Sequence, residues 1–413
     1  MPRVFTFLTN LGSGVVWALA AYVALISVYM AVVLCGAWLG RPRQRGVENQ
    51  PSFVVIIPAH NEDQGIASTL RQIQQTDYPS EQISIVVICD NCTDRTAEVA
   101  SQFGAQVLRR SDLANRGKGQ ALGWALAEHP EIFSGADLIA IIDADMDVHP
   151  GFFSGMARAF ADADVQAAQG RYVIANPLSG LLPALGFASY CYVNHVRLAG
   201  RCRWGGTADL KGSGMAFRSR FLLPRGWNAH SIAEDVQLGK ELMLEGIRVE
   251  FVPDAIVSSD IPSNLSQVRI QQSRWDGGKH QVIAAMFPRA LAALFRRPSV
   301  LLLDGLLDML VPPLSVVVML DILGLAVGWW VAREAVAVFG GSLAIFGLAV
   351  LTGLILNRAP PGVYWRLASA PLFMVWKLGL LVRLALMPAE TNWHRTPRNT
   401  READRLARKA AID

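Results

Sequence analysis

The tripeptide Asp143-Ala144-Asp145 stands directly behind the apolar run 138–142, so a short buried strand delivers two carboxylates to the rim of a sheet. In open α/β sheets that rim, beyond the carboxyl ends of the strands, is where ligands bind. Oxygen-only ligands suit Mg2+ or Mn2+, and an ion held by few protein carboxylates completes its shell with water and substrate phosphates. Asp143 and Asp145 therefore form a candidate metal and diphosphate site, with an ordinary solvated turn as the alternative. Asp147 extends the acidic edge and invites a calcium loop. Val148 stands where that loop needs glycine and Ser154 where it needs glutamate, which excludes it.

Other residues suited to chemistry follow. Gly212-Ser213-Gly214 permits close backbone approach to a ligand. Glu234-Asp235 opens a helix-like stretch, 236–245, and could supply a base or only a helix-start acid stabilised by the dipole. In Gln271-Gln272-Ser273-Arg274-Trp275, helical spacing puts Gln271 and Trp275 on one face with Arg274 beside it. A guanidinium grips diphosphate oxygens bidentately, and an indole offers a flat apolar plane to a sugar. An amphipathic helix with a half-buried tryptophan is the alternative. The stretch 115–122 leads into a helix but lacks both the P-loop and the GxGxxG spacing, which argues against ATPase and dehydrogenase functions. Lys118 reads as a solvated loop cation, and His60 and His230 as satisfied polar residues.

The elements that must position these groups alternate between 52 and 260, apolar runs with amphipathic stretches, as in a sheet covered by helices. Residues 53–57 and 83–88 read as buried strands. Each ends in polar residues, Pro58-Ala59-His60-Asn61-Glu62 and Asp90-Asn91-Cys92-Thr93-Asp94. Residues 65–75 and 93–103 read as crossover helices, so Glu62, Asp90 and Asp143 are expected to converge at one sheet edge.

Around this domain the chain is too apolar for an ordinary soluble protein, at 52% hydrophobic residues and a mean hydropathy of +0.30. Residues 11–39 carry no charge and exceed the ~20 residues that span a bilayer. The run is too long for a secretory signal and ends in Arg41, Arg43 and Arg45, which places the next domain in the cytoplasm. Residues 299–387 contain candidate spans at 313–331, 335–356 and 363–387. The last carries Arg366, Lys377 and Arg383, and a charge at mid-membrane costs ~2.5 to 3.5 kcal/mol, so it is expected to lie at the interface or re-enter. Residues 300–310 are also expected at the interface, with Asp304 and Asp308 facing water. Asp321 falls within a span and must face protein, a partner or a polar conduit.

The net charge of +4 needs no nucleic acid, because the basic residues cluster beside the membrane and in the tail 395–409, where lipid headgroups suffice. The five cysteines are scattered; Cys89 and Cys92 flank Asp90 without a second pair for zinc, so reduced thiols are expected.

In this order the motifs resemble family 2 glycosyltransferases, particularly the membrane-embedded branch of cellulose, chitin and hyaluronan synthases. The match runs from Pro58 to Trp275. Pro58 to Glu62 looks like the opening nucleotide loop, and Asp90 with Thr93-Asp94 like the uracil-contacting segment. Asp143-Ala144-Asp145 looks like the DxD metal site, Glu234-Asp235 like the catalytic pair, and Gln271 to Trp275 like QxxRW. Trp393-His394-Arg395-Thr396-Pro397-Arg398 matches more loosely. Ala233 departs from the threonine common before the Glu-Asp pair. No added regulatory domain follows the membrane segments, so a cyclic-dinucleotide switch is not expected.

The resemblance implies an α/β fold of GT-A type, a mixed sheet with helices on both faces, flanked by N-terminal and C-terminal transmembrane helices. The expected units are a membrane helix at 1–45, a cytoplasmic catalytic domain at 46–275, interfacial helices at 276–312, membrane segments at 313–388 and a basic cytoplasmic tail at 389–413. The implied enzyme is an inverting hexosyltransferase of the inner membrane, a processive polysaccharide synthase extending a glycan from a nucleotide sugar, UDP by default, with Mg2+ or Mn2+ as cofactor. Single addition to a lipid-linked acceptor and a non-catalytic nucleotide-binding scaffold are the alternatives. Asp235 is then the base and Glu234 its helper, Asp145 with Asp143 hold the metal, and Pro58, Glu62, Asp90, Asp143 and Arg274 bind the donor. Gln271, Trp275, Gly212, Ser213 and Gly214 meet the acceptor. Membrane lipid is an expected partner, as is a second copy or an export subunit.

Overall fold

The computed structural model describes residues 2–39, 50–262 and 265–368, and their side chains except those of 2–11 and 265–276. Two compact units emerge. Of the described residues, one comprises 50–176, 207–262 and 265–289, and the other 2–39, 177–206 and 290–368.

The first unit is built on one eight-stranded mixed sheet: β1 (Phe53–Ala59), β2 (Ile83–Asp90), β3 (Gln106–Arg110), β4 (Leu138–Ile141), β5 (Asp147–Val148), β6 (Ala167–Ile174), β7 (Met215–Arg218) and β8 (Val249–Ser259), in the order β3-β2-β1-β4-β7-β6-β8-β5. Strands β1 to β4 pair in parallel, β7 runs antiparallel between β4 and β6, and β5 pairs antiparallel with β8. Strand β4 is buried along its length and β1 is buried except at Pro58, which is why both read as continuous apolar runs rather than alternating ones. Phe53 anchors the core edge-on to Tyr78 and Phe153, at centroid distances of 5.4 and 5.1 Å.

Six residue steps separate Ile141, the end of β4, from Asp147, the start of β5, and cover about 20 Å at full extension. In the sheet the two strands lie four positions apart, about 19 Å at ordinary strand spacing. Because a turn in which Met146 N–H donates to the Asp143 carbonyl shortens the link, the sheet has to curl to close it. The crossover helices expected after β1 and β2 are Ile66–Gln74 and Thr96–Gln102.

The second unit is helical. Among the described residues, three helices are long and apolar enough to cross a membrane: Gly12–Trp38, Leu314–Val331 and Arg333–Leu356. The first packs Ile26, Met30 and Val33 with Tyr192, Val196 and Phe346. Asp321 is fully buried and accepts a hydrogen bond of 2.9 Å from Ser342 Oγ on the neighbouring apolar helix, so it faces protein.

Two sequence expectations change here. Residues 177–206, read as part of an unbroken catalytic domain at 46–275, group with the helical unit instead. They form helices Leu181–Cys191 and Arg197–Arg203 joined by a π-helical turn at Tyr192–Val196. Asp304 and Asp308, expected to face water from helix Val300–Leu310, are 9% and 5% exposed. Arg201 Nη2 sits 3.0 Å from Asp304 and its Nη1 2.9 Å from Asp308, while Arg197 Nε donates to Asp308 at 2.9 Å and Tyr29 donates to Asp304 at 2.8 Å. Charge compensation removes the need for water. Most of 363–387, and the tail with its 393–398 motif, lie outside the described residues.

Candidate active site

Strands β2, β1 and β4 end side by side, Ala59 opposite Cys89 and Ile56 opposite Ile141, so the loops after all three open on one sheet edge. At ordinary strand spacing the ends of β2 and β4 are about 10 Å apart.

The first two loops are tied together. Asn61 and Asn91 adopt left-handed backbone, with φ of 56° and 52°, which asparagine tolerates. Asn61 Oδ1 accepts from Thr93 N–H at 2.8 Å, Thr96 Oγ1 from Glu62 N–H at 2.7 Å, and Asp94 from Asp63 N–H at 3.1 Å. Pro58 is half-buried, while Glu62 and Asp90 are buried. His60 Nδ1 is 2.7 Å from the Asp90 carbonyl and must donate to it, consistent with a satisfied polar residue. All five cysteines are free thiols, and Cys92 hydrogen-bonds the backbone of Ala59 and Asn61.

The third loop carries Asp143 and Asp145, both half-buried. Helix Ile66–Gln74 holds it from behind. The Thr69 hydroxyl lies 2.9 and 2.8 Å from the Ala144 and Met146 carbonyls, and Gln72 bonds Asp147 Oδ1 at 2.6 Å and Val148 N–H at 2.7 Å. Asp147 is thereby turned to a structural use. On the other side Asp143 N–H donates to Ser213 Oγ at 3.0 Å, and buried Gln169 donates to the Ser213 carbonyl at 3.0 Å and accepts from Lys211 N–H at 2.8 Å. Gly212 and Gly214 have φ of 76° and 69°, a region side chains avoid, and a Cβ at Gly214 would lie 2.7 Å from Val257.

These elements converge on Lys118, the first residue of helix Lys118–Glu128. Its ammonium is 2.5 Å from Asp143 Oδ1 and 3.9 Å from Glu234 Oε1, and it donates to the Gly212 carbonyl. A Cβ built on Gly212 would lie 3.4 Å from Asp235 Oδ2 and 3.5 Å from Lys118 Nζ. With a side chain 20% exposed, Lys118 is not the solvated cation expected from sequence but the centre of the cluster. Burial works to lower its pKa, yet the charges of Asp143, Glu234 and Asp235 outweigh this and raise it.

Glu234 and Asp235 open helix Glu234–Leu244. Burial, reinforced by the Asp235 charge, pushes Glu234 up to about 8 despite Lys118. Burial also raises Asp235, opposed by the hydrogen bond from Val236 N–H to its Oδ1 at 2.8 Å and by Lys118 and Lys211. Both carboxyls are thus held above the usual carboxylate range by burial, with Lys118 opposing the rise in each. Among the described residues no group of three or more His, Cys, Asp or Glu side chains could hold a metal. A site of two carboxylates completed by phosphate oxygens matches the oxygen donors that Asp143 and Asp145 present.

Sequence reading missed Lys118, Gln169, Thr69 and Gln72. Only Lys118 carried a signal, its place at the start of a helix behind a glycine. Gln271, Arg274 and Trp275 lie on helix Leu265–Arg296, and their side chains are outside the described set.

Several known proteins are similar. The probable glycosyltransferase YdaM of Bacillus subtilis is 27% identical over 58% of this chain and 58% of its own. The beta-monoglucosyldiacylglycerol synthase of a Nostoc species is 27% identical over 62% and 55%, and the hyaluronan synthase of Streptococcus pyogenes 24% identical over 62% and 63%. The chain thus spans somewhat more than half the length of these relatives. Among solved structures, a mannosyltransferase of Pyrobaculum calidifontis, in complex with GDP-Man and Mn2+, superimposes over 91% of this chain and 98% of that one. Its TM-score is 0.52 at 20% identity, and it shares the GT-A fold. Residues 51–278, the stretch that carries every described side chain of the cluster, match the glycosyltransferase like family 2, and the chain belongs to that family.

Proposed function

We propose that the protein is a membrane-bound inverting glycosyltransferase that moves a sugar from a nucleoside-diphosphate donor, UDP by default, to a growing glycan. The observation that carries this reading is the gathering of Asp143, Glu234, Asp235 and the Gly212 carbonyl around Lys118 at the edge where the base-side loops also open. The acceptor oxygen attacks the anomeric carbon from the face opposite the diphosphate. Its proton passes to Asp235, and the breaking carbon–oxygen bond leaves its electron pair on the departing phosphate. Glu234, its carboxyl pushed up to about 8 by burial and the Asp235 charge, favours its neutral form beside the base. Asp145 and Asp143 would hold Mg2+ or Mn2+, which when bound supplies Lewis-acid neutralisation of the diphosphate. Lys118 holds Asp143 in place from the other side. Arg274, Gln271 and Trp275 are assigned, on their sequence match, to the leaving diphosphate and the acceptor sugar.

The basic cluster Arg41, Arg43 and Arg45 favours a cytoplasmic site at the inner membrane. A second reading, addition of one sugar to a lipid-linked acceptor, is favoured by the similarity to the beta-monoglucosyldiacylglycerol synthases.

With purified protein in detergent and Mn2+, donor turnover should release nucleoside diphosphate. Asp235→Asn should keep nucleotide binding and lose transfer by 10²-fold or more, within the range for a general base. Substantial transfer by this variant would remove the base assignment, and no turnover by the wild type with any nucleotide sugar would leave a binding scaffold. A ladder of long products supports glycan extension; one added residue supports the second reading.

A further inference from the structure

Asp90, the last residue of β2, does not present a symmetric carboxylate. Its Oδ1 accepts from Arg110 Nη1 at 2.6 Å and from Asn91 Nδ2 at 3.0 Å. Two donors fill the two lone pairs of one carboxylate oxygen. Oδ2 has no partner among the described residues, and the side chain keeps 10% of its surface exposed.

Both donors are themselves held. Arg110, 7% exposed, spends Nη2 on Asp112 Oδ2 at 2.9 Å. Asn91 closes a reciprocal pair with Asp112, accepting from its N–H at 2.9 Å and donating to its carbonyl at 3.1 Å, while its own N–H bonds the Arg110 carbonyl at 2.8 Å. Neither can swing away without breaking the β2–β3 loop contacts.

We propose that Arg110 and Asn91 are positioning residues for base selection: by occupying one oxygen of Asp90 they leave a single acceptor, which suits uracil and disfavours guanine. The inference rests on the proposed function, in which Asp90 reads the donor base. Uracil presents one N–H between two carbonyls, and Oδ2 alone satisfies it. Guanine presents two adjacent donors, N1–H and the N2 amine, which match a carboxylate only when both oxygens are free. With Oδ1 filled, one guanine donor stays unpaired, a cost of about ten- to a hundredfold in affinity. Cytosine offers an acceptor at N3 and meets the carboxylate lone pair to lone pair.

The same arrangement fixes what an amide would do at this position. In Asp90→Asn the two donors facing Oδ1 require the amide oxygen there, so the NH2 group must point outward. An outward donor opposes uracil N3–H and matches cytosine N3. If Arg110 and Asn91 did not hold Oδ1, the amide would be free to turn its oxygen outward and keep uridine.

The test is equilibrium binding of UDP, CDP and GDP to the full chain in detergent with Mn2+. Wild type should bind UDP at least tenfold more tightly than GDP or CDP, and Asp90→Asn should reverse the order of UDP and CDP. Asn91→Gly, which suits the left-handed backbone there and frees one lone pair, should narrow the UDP-to-GDP ratio severalfold. The ratios report base reading, which a merely structural role would not move. Equal or tighter GDP binding by wild type, retained UDP preference in Asp90→Asn, or an unchanged ratio in Asn91→Gly each overturns the proposal while leaving the glycosyltransferase reading intact. Failure of wild type to bind any of the three sinks both.

Discussion

Lys118 is a cation set among Asp143, Glu234 and Asp235, whose charges raise its pKa against the pull of burial. Burial raises Asp235 above its ordinary range while Lys118 and Lys211 pull it back. A base works deprotonated, so transfer should fall as pH drops through this raised value. Lys211→Met removes one lowering influence and should move the acid limb of the kcat/KM profile to higher pH at saturating Mn2+; a limb that stays or moves down would mean that Asp235 is not the titrating base. The carboxylates were legible in the sequence because acids directly behind apolar runs mark strand ends. Lys118 was not, since nothing in a lone lysine says which distant acids the fold will bring to it.

Helix Ile66–Gln74 shows what an element contributes beyond covering the sheet. It was legible as a crossover helix from its apolar spacing, with Ile66, Leu70 and Ile73 buried. Its grip on the acidic turn was not, because Thr69 and Gln72 are bland in sequence and their partners lie more than 70 positions away. Strand β5 was illegible for a different reason, as two residues carry no periodicity. Thr69→Val preserves volume but strips the Ala144 and Met146 carbonyls of their donor, a cost of about 1–3 kcal/mol where such groups are buried. The Mn2+ concentration for half-maximal donor turnover should rise severalfold, with little change from Gln75→Ala at an exposed place beside the same helix. Equal effects from both would show that the turn needs no such support.

At the scale of the whole molecule, the three apolar spans were legible from hydropathy alone. The interruption of the sheet domain by 177–206 was not, because Arg197, Arg201 and Arg203 make that stretch look solvent-facing. In the helical unit Arg197 and Arg201 meet Asp304 and Asp308, all four buried, so each charge leans on the opposite one. Arg201 pairs with both acids and Arg197 with Asp308. Removing one partner of a buried pair strands the other, at about 3–5 kcal/mol, whereas replacing both with apolar groups can be neutral. Arg197→Met should therefore lower the thermal midpoint in detergent markedly. Asp308→Leu should do the same by removing the carboxylate that Arg197 and Arg201 share, while the double variant should recover much of either loss because the Arg201–Asp304 pair remains. Additive losses in the double variant would mean that shape, not charge pairing, holds helices Arg197–Arg203 and Val300–Leu310 together.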